Sequence, residues 1–295
     1  MIEFPNAKIN LGLRVLRKRD DGFHDLETVF FPVPLCDILE IIEDEGSNSD
    51  LKGSPSDLSK VIVKSLPSGR KVSFSASGIP VDGAISNNLC LKACELFDTQ
   101  IGISSDLKLH LHKAIPMGAG LGGGSSDAAF VLKMLNKLTG QKATEEELLS
   151  LATQLGSDCA FFIRNASAFA ENRGETLTHF TVNLSGYVLV IVKPPVHVAT
   201  KDAFAGIVPT DTGGAIRKAI NLPIEEWQNE LINDFELSVF KKYPEIARIK
   251  EELQKAGAVY VSMSGSGSAI FGIFKENAPL KNQFPGCFYF ETTLK

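Results

Sequence analysis

The residues most suited to chemistry form one run, Pro116-Met117-Gly118-Ala119-Gly120-Leu121-Gly122-Gly123-Gly124-Ser125-Ser126, with five glycines inside seven positions. Glycine tolerates positive φ and leaves no side chain between the backbone and an approaching ligand. A run of such residues curls so that successive N–H groups converge on an anion. Ala128, Val131, Leu132, Leu135 and Leu138 follow at helical spacing, and Gly140 stands where a C-cap belongs. The loop thus delivers its ligand to a helix N-terminus, where unpaired amides and the macrodipole favour negative charge. Ser125 and Ser126 can cap that helix, and their hydroxyls suit a phosphate or a metal ion. A flexible surface turn is the plainer alternative. Against it, the loop runs from a strand into a helix with only apolar residues among its glycines. No Gly-Lys-Ser/Thr follows, so it is not a P-loop, and no acidic residue closes a second parallel strand as a dinucleotide fingerprint requires.

Other residues could join such chemistry. Lys8 lies between Ala7 and Ile9 in an otherwise uncharged stretch, and reads equally as an edge-strand charge or a functional cation. Asp158 follows Gly156-Ser157 at the mouth of an expected apolar strand, Cys159-Ala160-Phe161-Phe162. It is either a turn aspartate bonded to local amides or a base whose charge a lysine holds. Lys113 precedes the glycine loop and could meet a nucleotide. His24 follows an aromatic, where a structural role is the ordinary one. His110 and His112 share a strand face, but no carboxylate or thiol completes a metal set nearby, so that face is read as solvated. Cys90 and Cys94 lie one helical turn apart and read as packing. Ser264-Gly265-Ser266-Gly267-Ser268 is a second small-residue loop. It is either a tight turn or a second wall around the same ligand, and it resembles the first loop in composition only.

The elements that must position these residues follow from pattern. Strands are expected from Ile2 to Val15, with a hairpin at Arg17–Gly22 and extended chain from Phe23 to Phe30. Further strands are expected at Leu35–Glu43, Lys71–Ser77 and Asp106–His112, with an irregular insertion at Asp44–Arg70. Asn87-Asn88-Leu89 opens a helix, and Thr144 with Glu147 makes a capping box for a helix ending near Gly156. Later strands are expected at Ala168–Ala170, Gly186–Lys193, Val259–Met263 and Ala269–Phe274. Helices are expected at Thr200–Phe204, after Asn233-Asp234-Phe235-Glu236, and from Pro244 to Gly257.

Composition bounds the partners. The chain has 295 residues, 44% of them hydrophobic and 22% charged, which suits one large or two medium folded domains. A formal net charge of −5 leaves no general basic face for nucleic acid. The longest apolar stretch, Tyr187 to Val192, is far too short to span a bilayer, so no membrane partner is expected. Glu3, Asn6 and Asn10 interrupt any secretory core. Five scattered cysteines without a CxxC pair suggest reduced thiols and a cytoplasmic setting.

Three stretches together resemble the GHMP kinases, the family of galactokinase, homoserine kinase, mevalonate kinase and phosphomevalonate kinase. Residues Pro116–Ser126 resemble their phosphate loop, Pro5-Asn6-Ala7-Lys8-Ile9-Asn10-Leu11 their first motif, and Ser262-Met263-Ser264-Gly265-Ser266-Gly267 their third. Asp21-Gly22-Phe23-His24, Gly156–Phe162 and Asn233–Glu236 look like the marks of one branch. That branch acts on a cytidine diphosphate-linked alcohol in non-mevalonate isoprenoid synthesis. The resemblance implies an α+β, two-lobed fold with its active site in the cleft. The N-terminal lobe, residues 1–165, would be ribosomal S5 domain 2-like and bind ATP, and the C-terminal lobe, residues 166–295, would be ferredoxin-like. It implies a kinase using ATP and Mg²⁺, with Ser126 as a metal ligand. Asp158 matches the base and Lys8 its cationic partner. Asn10, Gly265 and Ser266 match the substrate side, and Phe23 and His24 match a cytosine site in which Phe23 replaces a frequent tyrosine. Phe204 fits a second aromatic of the sandwich and Thr200 a hydroxyl contact. Asn88, Leu89 and Lys113 fit the nucleotide base, beside the phosphate loop. Two alternatives stay open: a homoserine- or mevalonate-type kinase, and a non-catalytic nucleotide or sugar sensor on the same fold. The presence of both Lys8 and Asp158 argues against the sensor.

Overall fold

The computed structural model describes residues 1–44, 61–80, 87–209 and 213–295. The insertion expected at Asp44–Arg70 therefore lies largely outside the described residues; its last part forms a strand and a turn. In chain order the strands and helices are β1 (Ile2–Glu3), β2 (Asn6–Lys18), β3 (His24–Cys36), β4 (Ile38–Asp44), β5 (Ile62–Ser65), β6 (Lys71–Gly78), α1 (Leu89–Gln100), β7 (Asp106–Lys113), α2 (Gly123–Leu138), α3 (Glu145–Leu155) and α4 (Cys159–Arg164). There follow β8 (Ala168–Asn172), β9 (Thr176–His179), β10 (Val188–Lys193), α5 (Thr200–Phe204), α6 (Ala215–Ala219), α7 (Trp227–Glu230), α8 (Phe235–Lys242), α9 (Pro244–Lys255), β11 (Tyr260–Met263), β12 (Ile270–Phe274) and β13 (Phe288–Thr293). The chain divides into two compact units. One comprises Met1–Ala7, Leu35–Met117 and Gly123–Asn165, the other Lys8–Pro34, Gly118–Gly122 and Ala166–Lys295.

In the first unit a five-stranded sheet runs β1-β4-β7-β6-β5, antiparallel except between β6 and β7. Alternation decides which face is buried. Leu107, Leu109 and Leu111 of β7 are buried, and Leu109 is flanked by Ile41 of β4 and Phe74 of β6. Against this unit's core pack Leu91, Cys94 and Phe97 of α1 and Val131, Leu132 and Leu135 of α2. Each side chain so buried contributes about 1.5–3 kcal/mol. Asn88 caps α1 by accepting from the Cys90 amide at 2.8 Å. Thr144 and Glu147 form the expected capping box on α3.

Three local expectations are corrected here. The single strand expected at Leu35–Glu43 is two strands broken at Asp37, whose fully buried carboxylate accepts from the Ala114 and Ile115 amides. The apolar strand expected after Asp158 is helix α4. A run that short carries no periodicity to separate helix from strand. Helix α2 begins at Gly123, so Ser125 and Ser126 sit inside its first turn rather than before it.

In the second unit, one sheet has the order β2-β3-β8-β9 and another the order β11-β12-β10-β13. The latter is antiparallel throughout. With α9 between β10 and β11, and only a 3-10 turn at Lys281–Gln283 between β12 and β13, its order is that of a ferredoxin-like sheet. The second crossover helix is reduced to that turn. Ile246, Ile249 and Leu253 of α9 and Phe235 and Val239 of α8 share a core with Val188, Val190 and Val192 of β10. No helix among the described residues is long and apolar enough to cross a membrane. All five cysteines are free, and Cys90 and Cys94 are buried in α1 as packing residues.

Candidate active site

The glycine loop is built with its carbonyls turned toward the protein. Ala119 O accepts from the Ala269 amide at 3.1 Å, Gly120 O from Ser264 Oγ at 2.9 Å, and Leu121 O from the Lys8 amide at 2.9 Å. Among the described residues, the amides of Gly118, Gly120, Leu121 and Gly122 donate to no protein acceptor, while Met117–Gly118 forms a turn. Gly118, Gly120 and Gly122 all have positive φ, which lets the amides turn the other way. The second small-residue loop is the support. A Cβ on Gly120 would stand 1.8 Å from the Ser264 carbonyl oxygen, and one on Gly267 would stand 2.1 Å from the Gly120 nitrogen. Backbone thus packs on backbone, and only glycine fits. Asn233 holds the supporting loop from behind, its Nδ2 donating to Met263 O at 2.8 Å and to Gly265 O at 2.9 Å. Asn233 was read from the sequence only as part of a branch mark. Its role as a clamp had no signal beyond an asparagine ahead of a helix.

Beside these loops, Lys8 and Asn10 point to the same side of β2, two residues apart. Lys8 is 3% exposed, on β2 at the edge of its sheet. Its Nζ donates to Asn10 Oδ1 at 2.5 Å and lies 4.8 Å from the centre of the Phe30 ring. Asn10 Nδ2 donates to Thr28 Oγ1 at 3.1 Å, and Thr28 Oγ1 donates to Gly12 O at 2.5 Å. Asn10 is therefore fixed in orientation, with its amide oxygen toward the ammonium. A buried ammonium is costly unless it is paired or hydrogen-bonded, so this placement argues for chemistry over surface solvation.

The β2–β3 hairpin carries Phe23 and His24. Its turn closes through Arg19 N on Phe23 O at 2.8 Å and Gly22 N on Arg19 O at 3.2 Å. Phe23 is 54% exposed, and the Arg173 guanidinium lies 4.9 Å from its ring centre. His24 stacks on Phe204 at 4.6 Å and 25°, and Phe204 meets Phe235 edge-on at 4.7 Å. Phe204, expected opposite Phe23, thus lies on the histidine, while an arginine lies over Phe23. Burial, aided by the charge of Lys18, lowers the His24 pKa below its ordinary value. Its imidazole is neutral at pH 7, with one donor and one acceptor nitrogen. Thr200 opens α5 and is exposed.

In the first unit, Lys113 ends β7 beneath the start of α2, and a Cβ on Gly123 would stand 2.8 Å from its Nζ. The expectation that this ammonium meets a nucleotide gives way to a different pairing. It binds Asp37 Oδ2, and Asp127 Oδ2 at 3.0 Å, and all three side chains are buried. Two carboxylates share one ammonium. Asp37 has two backbone amides besides, whereas burial raises the pKa of Asp127. The sequence reading missed both aspartates. The signals available were the acid interrupting an apolar run at Asp37 and the acid following two serines at Asp127. Asn88 uses its side-chain oxygen on the helix cap, and Leu89 Cδ1 would lie 4.0 Å from a Cβ on Gly124. Asp158 flanks α4 and makes no side-chain cap bond to that helix. Ser126 Oγ is buried and has no hydrogen-bond partner. Among the described residues no cluster of three His, Cys, Asp or Glu could hold a metal. A buried hydroxyl without a protein partner in the first turn of α2 fits a polar ligand. His110 bonds to Ser75 and Ser77, and His112 to Ser77, across β6 and β7.

Residues 88–166 match the model of the GHMP kinases N terminal domain, and residues 216–283 that of the GHMP kinases C terminal. A mevalonate kinase of Methanococcus jannaschii shares the fold at TM-score 0.69 and 15% identity, with 100% of this chain and 98% of that one covered. A homoserine kinase of Cytophaga hutchinsonii does so at TM-score 0.62 and 17% identity, with 98% and 94% covered. The fold and the amide-open glycine loop define a GHMP kinase. Full-length relatives narrow the class. A 4-diphosphocytidyl-2-C-methyl-D-erythritol kinase of Bacteroides thetaiotaomicron is 46% identical over 95% of this chain and 94% of its own. One of Parabacteroides distasonis is 42% identical over the whole of both chains. A crystal structure of 4-(cytidine 5'-diphospho)-2C-methyl-D-erythritol kinase superposes at TM-score 0.74 and 28% identity, with 99% and 98% covered. The chain belongs to the family of 4-diphosphocytidyl-2-C-methyl-D-erythritol kinases.

Proposed function

We propose that this chain transfers the γ-phosphoryl group of ATP to the 2-hydroxyl of 4-diphosphocytidyl-2-C-methyl-D-erythritol, in the cytoplasm, as a step of non-mevalonate isoprenoid synthesis. The observation that carries this reading is the glycine loop, with its carbonyls tied inward and its amides left open ahead of α2. Phosphoryl transfer asks for positioning and charge stabilisation, with little covalent chemistry from the protein. The open amides and the N-terminus of α2 take the phosphates of ATP. Ser126 would be the protein ligand of Mg²⁺, which would supply charge neutralisation when bound. Asp158 accepts the proton of the attacking hydroxyl. Lys8 supplies positive charge where the alkoxide develops, and Asn10 keeps that ammonium in place. His24 reads the cytosine edge and Phe23 stacks on its face, with Phe204 ordering the histidine. Asn88 and Leu89 lie on the side of the adenine base, Thr200 offers a hydroxyl to the acceptor, and Gly265 and Ser266 bound it from the supporting loop.

The test is ADP release measured against a panel of alcohols: the cytidine diphosphate-linked methylerythritol, homoserine and mevalonate. Turnover is expected with the first alone. Turnover with homoserine or mevalonate in its place would transfer the chain to another GHMP activity, and binding without turnover would favour a sensor.

A further inference from the structure

Phe23 is an unusual residue for a hairpin tip, because a large apolar ring stands 54% exposed beside charged neighbours. Its backbone and its ring are nonetheless both held. Asp21 Oδ1 accepts from the Phe23 amide at 3.1 Å, and the Arg173 guanidinium covers one face of the ring at 4.9 Å. Arg173 in turn is anchored within the β8–β9 turn. Its amide donates to Glu175 Oε2 at 2.8 Å, and its Nε lies 3.6 Å from Glu175 Oε1. The turn itself is fixed by Asn172 and Gly174 at positive φ and by Gly174 N on Glu171 O at 3.0 Å. Residues from two hairpins, far apart in sequence, therefore converge on one exposed ring. Neither hairpin needs the contact for its own closure.

We propose that Arg173 is a positioning residue for the nucleobase of the acceptor substrate, holding the Phe23 ring as a platform with one face covered and the other open. The inference rests on the reading of Phe23 and His24 as the pyrimidine site. An aromatic side chain free to rotate in water loses that freedom when a base stacks on it, and the loss weakens binding. A guanidinium already seated on the far face has removed that freedom before the base arrives. The planar guanidinium is suited to this as an ammonium is not, because it stacks as well as attracts.

Steady-state kinetics of Arg173→Ala, Arg173→Lys, Phe23→Ala and the double variant test this. Phe23 is exposed and Arg173 half-buried, in hairpins that close through their own backbone bonds, so the variants should fold, as a thermal melt will verify. Arg173→Ala is expected to raise KM for the cytidyl substrate by about 2- to 5-fold, the scale of an exposed cation–π contact. The KM for ATP and kcat should hold. Arg173→Lys should recover part of the loss. The double variant should be no worse than Phe23→Ala, because Arg173 acts through that ring. Additive losses, or a KM untouched by Arg173→Ala while Phe23→Ala raises it, would overturn the role of Arg173 and leave the pyrimidine site standing. A KM untouched by Phe23→Ala would remove the pyrimidine site and this inference together.

Discussion

At the scale of single residues, the question is why costly groups are where they are. Lys8 is buried with its ammonium on Asn10, and Asn10 is itself fixed by Thr28. Stability alone would favour an apolar residue in that place. As the proposed base, Asp158 is open to a direct check. Asp158→Asn should fold and bind both substrates while kcat falls by a factor on the order of 10²–10⁴, the usual worth of a general base. Near-normal turnover would take Asp158 out of that part. His24 offers a check by pH. Burial lowers its pKa, so the folded protein keeps the ring neutral where the unfolded chain would begin to protonate. Acid supplies the missing proton and removes the acceptor nitrogen. The KM for the cytidyl substrate is therefore expected to rise as pH falls below the ordinary histidine value of 6.5, with the KM for ATP unaffected. In His24→Gln that rise should be absent. A wild-type KM flat to acid would separate His24 from the base-reading part. Residue identity was legible here, because Lys8, Asn10, Phe23 and His24 fall in motifs. Their partners were not: nothing local in the sequence pairs Asn10 with Thr28, Phe204 with His24 or Arg173 with Phe23.

At the scale of elements, the glycine loop and its neighbour act as one piece. The open amides depend on carbonyls tied to Ala269, Ser264 and Lys8, and the close approach depends on missing side chains at Gly120 and Gly267. Two substitutions separate this from glycine content in general. Gly120→Ala would drive a methyl against the Ser264 carbonyl while straining a positive φ. It is expected to abolish activity and to cost more than about 2 kcal/mol of stability. Gly124→Ala, inside the first turn of α2 with only an ordinary contact at 4.0 Å to Leu89, should fold and gain a few tenths of a kcal/mol or more in helix propensity. Denaturant unfolding and ADP release measure both. Equal behaviour of the two variants would mean that backbone packing does not set the loop. The elements on either side were readable where periodicity or caps were strong, as at α1, α3, β7 and α9. They were misread at Asp158–Phe162, where the apolar run is too short to show a period, and at Leu35–Glu43, where a buried acid breaks the strand for reasons that lie at Ala114 and Ile115.

At the scale of the whole molecule, contacts between distant segments decide what each unit can do. Asp37, Lys113 and Asp127 meet in the core of the first unit, and removing the one ammonium strands the buried carboxylates. Lys113→Met is expected to destabilise the protein by about 3–5 kcal/mol, read from its unfolding midpoint. A shift within error would mean that the cluster tolerates its own disruption. The ferredoxin-like sheet and its reduced second crossover likewise follow from the order in which strands pair, which only the folded chain displays. By itself the sequence determined the glycine loop, the helix behind it and the family. Those depend on residue type and short spacing, and short-range sterics act on neighbours. Tertiary structure alone decided that the second small-residue loop braces the first, that Lys113 serves two aspartates, and that an arginine covers the exposed phenylalanine. Those contacts join residues tens to hundreds of positions apart, and burial, packing and charge pairing between such segments have no local signature in the chain.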